Sequence, residues 1–161
     1  VFKHILEKSL IEVGEYSVVI SIFGKKQSFK GFVDTGNFLK DPFSDIPVIV
    51  CGFSDAMVIL PKDLKHIIEK GETLDATKIM SLDEATRKSL RLIPYSAVGK
   101  KGVIPALRAD FIEIISENKM FIAPNVYLAV SNEKIGGGDY NLLLSPQLMK
   151  LSYSKNNLNI N

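Results

Sequence analysis

Alternation of apolar and polar residues predicts a β-hairpin near the start of the chain. Side chains of a strand point to its two faces in turn, so apolar residues two positions apart share a buried face. The turn residues Gly24-Lys25-Lys26 separate this run from a second one, Gln27–Val33, as in a hairpin. The apolar residues expected on one face of the first strand are Tyr16, Val18, Ile20 and Ile22.

Further short apolar runs, bounded by Gly, Pro or Asp, predict more strands along the chain. They lie on both sides of a central segment whose apolar residues follow a different spacing. The predicted strands are Ile46–Cys51, Ala56–Leu60, Arg91–Tyr95, Val103–Ile115 and Lys119–Val130.

Helical signals occur in that central segment and again in the C-terminal part. In Pro61–Gly71 a Pro stands near the start and a Gly at the end, as helix termini favour. Ser81 and Glu84 have the spacing of a capping box, which predicts a helix through about Leu90. Ser145, followed by a Pro, predicts the start of a further helix near residues 145–150.

Together these elements predict an all-β fold with a short helical insertion at about residues 61–90. The 161 residues correspond to a single domain, and 46% of them are apolar, which is enough for a core without disulfides. One cysteine, Cys51, excludes an internal disulfide. No apolar run approaches the ~18 residues that are needed to span a bilayer.

Charge and metal-ligating residues narrow the function classes further. Twenty Lys and Arg against 18 Asp and Glu leave a net charge of +2, which argues against a nucleic-acid partner. Two histidines, His4 and His66, stand beside the one cysteine, and none of the three has a supporting motif. We therefore expect neither a metal site nor a thiol protease.

Asp34-Thr35-Gly36 directly follows the second predicted strand and is the candidate catalytic motif. Paired carboxylates share one proton, so that one activates a water while the other donates to a peptide carbonyl oxygen. The Thr35 hydroxyl is expected to anchor the loop, and Gly36 to let the backbone turn close to the carboxylate. Asp-x-Gly is also ordinary turn chemistry, so the motif alone leaves a plain turn and a catalytic loop both open.

The chain has one such tripeptide, whereas a carboxylate dyad needs two aspartates. Asp41 and Asp139 lack the Thr/Ser-Gly that would have to follow them. If the motif is catalytic, the second carboxylate comes from Asp34 of another copy, since a residue near a two-fold axis meets its own equivalent.

The longer string at residues 34–42, Asp-Thr-Gly-Asn-Phe-Leu-Lys-Asp-Pro, resembles the aspartic peptidases of endospore formers that process the sigma-E precursor. Residues 93–102 and 142–148 share this resemblance, which thus covers nearly the whole chain. The motif itself also resembles that of retroviral-type aspartic proteases, which are homodimers with one motif per chain. The resemblance implies a retropepsin-like aspartic protease barrel, a water nucleophile and no metal or organic cofactor.

The resemblance also implies a flap, a hairpin that closes over the bound substrate. A solvated hairpin without a catalytic part is the alternative. The apolar run at residues 142–144 would pack beneath the catalytic loop. Ser145, which follows it, departs from the usual pattern of aspartic proteases, which have Gly at this position. The expected flap residues are Tyr95, Val98, Gly99 and Gly102.

As a member of that family, the chain would be the cytoplasmic half of a membrane-anchored protein, on the mother-cell side of the sporulation septum. Its start at Val1, without an initiator Met, would then reflect a removed N-terminal membrane half. The implied partners are a second copy of the chain and a sigma factor precursor whose pro-segment is cleaved. Two alternatives stay open: a non-catalytic β module that binds a peptide or dimerises, and a β-barrel with an unrelated hydrolytic site.

Overall fold

The fold is built on one long sheet. A computed structural model describes residues 15–97, 99–117, 119–133, 135 and 139–154. The strands in these residues are β1 (Glu15–Ile22), β2 (Lys25–Val33), β3 (Val48–Gly52), β4 (Leu90–Ala97), β5 (Lys100–Arg108), β6 (Phe111–Ser116), β7 (Lys119–Ala123), β8 (Tyr127–Ser131), β9 (Leu142–Leu144) and β10 (Tyr153–Ser154). They follow one another across the sheet in the order β10-β7-β6-β1-β2-β9-β3-β8-β5-β4.

Short helices interrupt the succession of strands, chiefly between β3 and β4. Those in the described ranges are α1 (Phe53–Ala56), α2 (Lys62–Glu69), α3 (Ala76–Ser81), α4 (Glu84–Ser89) and α5 (Pro146–Leu151). The predicted all-β class is confirmed, with its helical insertion near residues 61–90 and its C-terminal helix. None of these helices is long and apolar enough to cross a membrane.

The predicted N-terminal hairpin is confirmed. β1 and β2 pair antiparallel from Glu15 opposite Phe32 to Ile22 opposite Lys25. The alternating residues of β1 are all buried, as the period-two pattern requires. Gly24 turns the chain with a φ of 77°, a left-handed conformation that glycine adopts without steric cost.

The centre of the sheet joins segments that are far apart in the sequence. β9 pairs parallel with β2, where Val33 lies opposite Leu144, and antiparallel with β3 on its other side. Gly31 permits the close approach, because a Cβ there would lie 3.0 Å from side-chain carbons of both Leu144 and Val18. This arrangement brings the start of α5 beside the end of β2.

The strand predicted at Ala56–Leu60 is wrong. Residues 53–56 form α1, and the chain then turns, with the N–H groups of Ile59 and Leu60 both donating to the carbonyl of Ala56. Ala56, Ile59 and Leu60 are buried together. Their spacing of three and four residues fits one face of a helical turn and not the alternation of a strand.

The capping box predicted at Ser81 is also wrong. Ser81 ends α3, and its hydroxyl donates to the carbonyl of Lys78 instead of capping a following helix. Asp83 is the N-cap residue of α4. Its backbone N–H donates to the side chain of Asp63, so the loop between α3 and α4 is tied to α2.

Two long predicted strands are each divided in the structure. Val103–Ile115 breaks at residues 109–110, where the Asp110 carboxylate accepts hydrogen bonds from the Ser21 hydroxyl and the Gly24 N–H, both at 2.9 Å. Lys119–Val130 breaks at residues 124–126 to give β7 and β8. The break at Asp110 lets the chain leave the β4–β5 hairpin and cross to pair with β1.

Two apolar clusters fill the interior. The larger one joins the buried face of β1 to α2 and α5. The smaller one lies where β3, β4, β5 and β8 meet, and Leu39 and Leu143 pack against its edge. Its buried members are Val48, Val50, Ile93, Ala106, Tyr127 and Ala129. This second cluster underlies the loop that follows β2.

Candidate active site

Asp34 occupies the first position after β2. Its backbone N–H donates to the carbonyl of Leu144 at 3.0 Å, which extends the β2–β9 pairing by one residue. Asp34 therefore lies in a loop, but its hydrogen bond to Leu144 fixes its main chain to the central strands β2 and β9. Its side chain is partly exposed, as a group that meets solvent and substrate must be.

The backbone folds back around the Asp34 carboxylate. The Gly36 N–H donates to Asp34 Oδ1 at 2.9 Å, and the Asn37 N–H donates to the Asp34 carbonyl at 2.9 Å. A Cβ on Gly36 would lie 3.3 Å from Asp34 Oδ1, tighter than most carbon contacts. Gly at this position lets the main chain serve as the carboxylate's hydrogen-bond donor, as the sequence predicted.

Asn37, and not Thr35, anchors the loop. Thr35 is exposed, and within the described residues its hydroxyl makes no hydrogen bond, contrary to the expectation. The Asn37 side chain is 7% exposed, and its Nδ2 donates to the Val48 carbonyl at 3.3 Å. Its Oδ1 accepts from the Leu39 N–H at 3.1 Å. One buried amide thus ties the loop to the start of β3.

A second buried polar residue, Asp41, shapes the continuation of the loop. It is 3% exposed and accepts a hydrogen bond of 2.5 Å from the Ser44 hydroxyl. Its N–H donates to the Ile46 carbonyl, which closes a tight turn before β3. Phe38 and Phe43 project from this loop, with 77% and 94% of their surface exposed.

Ser145 replaces the usual Gly without distorting the backbone. It has extended dihedral angles (φ −101°, ψ 149°), which any residue adopts. The buried Ser145 hydroxyl accepts from the Leu148 N–H at 3.1 Å and so caps α5, as predicted. Ser145 is therefore the N-cap residue of α5. It directly follows Leu144, whose carbonyl accepts the hydrogen bond from the Asp34 N–H.

The predicted hairpin forms, with β4 and β5 paired from Leu90 opposite Leu107 to Ala97 opposite Lys100. Tyr95 lies directly opposite Gly102. A Cβ on Gly102 would lie 2.9 Å from the Tyr95 hydroxyl oxygen, so the ring lies across the glycine. Gly99 has a φ of 75° at the turn, and Val98 lies outside the described residues. The closure of this hairpin over Asp34 stays a prediction.

Cys51 is a core residue. It is fully buried in the larger cluster, and burial, together with the negative charge of Asp55, raises the pKa of its thiol to about 12. A thiol protonated at neutral pH is a poor nucleophile. Among the described residues, no group of three His, Cys, Asp or Glu side chains is arranged to hold a metal ion.

Comparison with known proteins assigns the chain to a family. The model of the sporulation factor SpoIIGA family, peptidase family U4, matches residues 1–148. The chain belongs to this family. A sporulation sigma-E factor-processing peptidase of Bacillus subtilis is 27% identical over 124 residues, which cover 74% of this chain and 40% of that protein. The peptidase of the same name from Priestia megaterium is 23% identical over 124 residues, which cover 76% of this chain and 40% of that protein.

The chain thus spans about 40% of the length of these two SpoIIGA relatives. No solved structure matches it. The predicted family resemblance is confirmed by the family model and by the names of the relatives.

The residues that sequence reasoning missed are the buried polar ones. Asn37 directly follows the tripeptide, and Asp41 is an aspartate without the motif, so neither has a predicted role. Their burial depends on the loop folding back onto β3, a long-range contact that no local pattern encodes. A usable signal was present in Asp41-Pro42, because an Asp before a Pro favours a turn.

Proposed function

We propose that this chain is the protease domain of an aspartic endopeptidase that acts as a homodimer, with Asp34 of each subunit forming the catalytic dyad. The observation that carries the proposal is the placement of Asp34. Its main chain is fixed by Leu144, its carboxylate accepts the Gly36 N–H, and its side chain reaches the surface.

In the dimer, the two Asp34 carboxylates would lie ~3 Å apart and share a proton, because two like charges at that distance cannot both ionise. The ionised carboxylate takes a proton from a water molecule as that water attacks the peptide carbonyl carbon. The protonated carboxylate donates to the carbonyl oxygen. The tetrahedral intermediate then breaks its C–N bond as a proton passes to the leaving nitrogen. Gly36 and its N–H keep one carboxylate oxygen oriented throughout.

The second carboxylate has to come from another copy. The buried Asp41 carboxylate is already bonded to Ser44 and faces its own turn. No other Asp in the chain is followed by Thr-Gly or Ser-Gly. A two-fold axis passing beside Asp34 supplies the missing group from the identical residue of the partner.

The hairpin of β4 and β5 serves in this proposal as the flap. Tyr95, Gly99 and Gly102 belong to its outer half, and the flap role of Val98, outside the described residues, rests on the sequence alone. Only residues 106–108 of β5 pair with β8, so within the described part the remaining residues of the hairpin form strand pairs only with each other. Such an arm has freedom to close over an extended peptide, which would pair with it through main-chain hydrogen bonds.

The relatives are named for processing the sporulation sigma-E factor, and we assign the same kind of substrate to this chain. The substrate would be a sigma factor precursor, cleaved in its pro-segment. By resemblance to the family, the whole protein would be anchored in the cell membrane, with this domain on the cytoplasmic, mother-cell side. Water is the nucleophile, so the reaction requires no cofactor.

The direct test is Asp34→Asn, which keeps the shape of the side chain and removes its charge. Cleavage of a pro-sigma-E substrate should fall by about a thousandfold or more, as for other essential catalytic groups. Asp83→Asn is the matched control, because Asp83 is exposed and its side chain makes no capping hydrogen bond. Full cleavage by a folded Asp34→Asn chain would refute the proposal.

The same experiment separates the enzyme from the non-catalytic β module. If the chain is a module that only binds the pro-segment, the native chain and both variants should bind it, and none of the three should cleave it. An unrelated hydrolytic site would show cleavage that survives the loss of Asp34.

A further inference from the structure

A basic cleft lies at the base of the β4–β5 hairpin, outside the Asp34 loop. It is an open cleft of about 430 Å³, lined by both legs of the hairpin, the end of α4, the start of β8 and the turn after β1. Its basic and aromatic lining consists of Lys88, Arg91, Arg108, Tyr127 and Phe23. The one carboxylate in its described lining, that of Asp110, already accepts hydrogen bonds from Ser21 and Gly24.

Two arginines share one aromatic ring in this cleft. The guanidinium carbons of Arg91 and Arg108 lie 6.0 Å and 5.4 Å from the centre of the Tyr127 ring. Arg91 comes from β4 and Arg108 from β5, so the pair bridges the two legs of the hairpin. The Tyr127 residue is 3% exposed, which makes it a fixed platform for both cations.

Neutral oxygen atoms orient each guanidinium group. Arg91 Nη1 donates to the carbonyls of Leu90 (2.8 Å) and Lys88 (3.2 Å), while Arg108 Nη2 donates to Asn125 Oδ1. Each guanidinium has five N–H donors, so donors on both remain for a ligand.

Neither arginine is neutralised by a carboxylate of the described residues. The ion pairs found there are Lys40–Asp45, Lys78–Glu72 and Lys88–Glu84. Two like charges held over one ring repel each other, and an anion between them would relieve that repulsion. The chain as a whole carries only +2, so this local excess of positive charge is a feature of the cleft.

We propose that this cleft binds an acidic segment of a partner protein, with carboxylates on Arg91 and Arg108. The planar guanidinium fork matches the geometry of a carboxylate. Phe23, 47% exposed at the cleft, offers an apolar wall that suits a neighbouring apolar side chain of a peptide. A bare phosphate or a nucleic-acid backbone has no group for that wall.

The strands β8 and β3 connect the cleft to the Asp34 loop. Tyr127 pairs with Val48 across β3 and β8, and the Val48 carbonyl accepts the side-chain hydrogen bond of Asn37. No residue of the Asp34 loop lines the cleft, so a partner held on Arg91 and Arg108 would leave that loop unoccupied. The proposal goes beyond the proteolytic function and is tested by binding alone.

The test uses the purified full chain and a fluorescein-labelled peptide in which four glutamates flank a central phenylalanine. Fluorescence anisotropy should show binding at low ionic strength that weakens as salt is added. Arg91→Gln/Arg108→Gln should weaken that binding at least tenfold. Circular dichroism and the unfolding midpoint establish that each variant is folded.

Lys100→Gln/Lys101→Gln is the matched control, because it removes the same charge from the far end of the same hairpin, about 20 Å away by strand rise. This control should leave the affinity unchanged. Equal weakening by both double variants, or no binding by the native chain, would overturn the proposal. So would binding of tripolyphosphate to the arginines without binding of the peptide, since the site would then be one for phosphate.

A third variant tests the role of the ring. Tyr127→Leu keeps an apolar side chain in the buried position but removes the aromatic platform. The peptide affinity of this variant should lie between those of the native chain and the double arginine variant. An affinity equal to the native one would show that the stacked arrangement of the arginines is irrelevant to binding.

Discussion

The Nδ2 atom of Asn37 donates a hydrogen bond to the carbonyl of Val48 at 3.3 Å, joining the loop after β2 to the first residue of β3. The same side chain accepts the Leu39 N–H, so one buried residue fixes the loop on two sides. The position of Asp34 is thus set by its neighbour three residues on, as well as by Leu144.

Replacing Asn37 by Ala should destabilise the domain. The change leaves the Val48 carbonyl and the Leu39 N–H without their partner, which costs ~1–3 kcal/mol when such groups are buried. Denaturant unfolding measures the loss. Asn132→Ala, at an exposed asparagine, is the control and should change the free energy of unfolding by less than about 0.5 kcal/mol. Equal effects of the two changes would show that Asn37 does not hold the loop.

Ser145 offers a test of the helix cap. Ser145→Ala removes the acceptor of the Leu148 N–H and should cost ~1 kcal/mol of stability, whereas Ser145→Gly should cost only a few tenths. Thermal or denaturant unfolding of both variants measures the difference. If the glycine variant were the less stable of the two, the serine would be held by something other than its capping role.

The hairpin glycines should respond differently to alanine. Gly99→Ala forces a side chain into a φ of 75° and should cost ~1–2 kcal/mol. Gly102→Ala places a methyl group 2.9 Å from the hydroxyl of Tyr95, which is 38% exposed and free to swing away. We expect Gly102→Ala to lower kcat/KM for pro-segment cleavage with little change in the free energy of unfolding. Unchanged cleavage would argue against a flap role for this pair.

The buried thiol gives a prediction about pH. Its pKa of about 12 in the folded chain, raised from 9.0 by burial and by Asp55, keeps Cys51 protonated across the neutral range. Labelling by a thiol reagent should therefore be slow in the native chain and fast after unfolding. The unfolded chain loses this proton first as the pH rises, so stability should fall from about pH 9 towards 12. Rapid labelling of the native chain would contradict the burial.

Local patterns predicted much of this fold because the deciding signals are local. The alternation from Tyr16 to Ile22 specified β1 and its buried face, and Ser145 before a Pro specified the start of α5. Where a local pattern predicted the wrong element, the deciding contacts are not local. Ala56–Leu60 is apolar enough for a strand, and only its packing distinguishes it from a helical turn.

The candidate site likewise contains residues whose roles were predictable from the sequence and residues whose roles were not. Asp34 and Gly36 were predictable because their roles depend on adjacent residues, with the Gly36 N–H reaching back to Asp34. The anchoring by Asn37 and the pairing of Arg91 with Arg108 over Tyr127 were not predictable. These contacts depend on strands that meet only in the folded sheet.

The central claim is that the catalytic dyad consists of two Asp34 residues, one from each of two chains. Native chain and Asp34→Asn chain are mixed at a constant total concentration, and the initial rate of pro-segment cleavage is measured against the native fraction. The rate should follow the square of that fraction, so an equal mixture should retain about a quarter of the native rate. A rate proportional to the native fraction, with half retained, would show that one chain carries a complete site and would contradict the account.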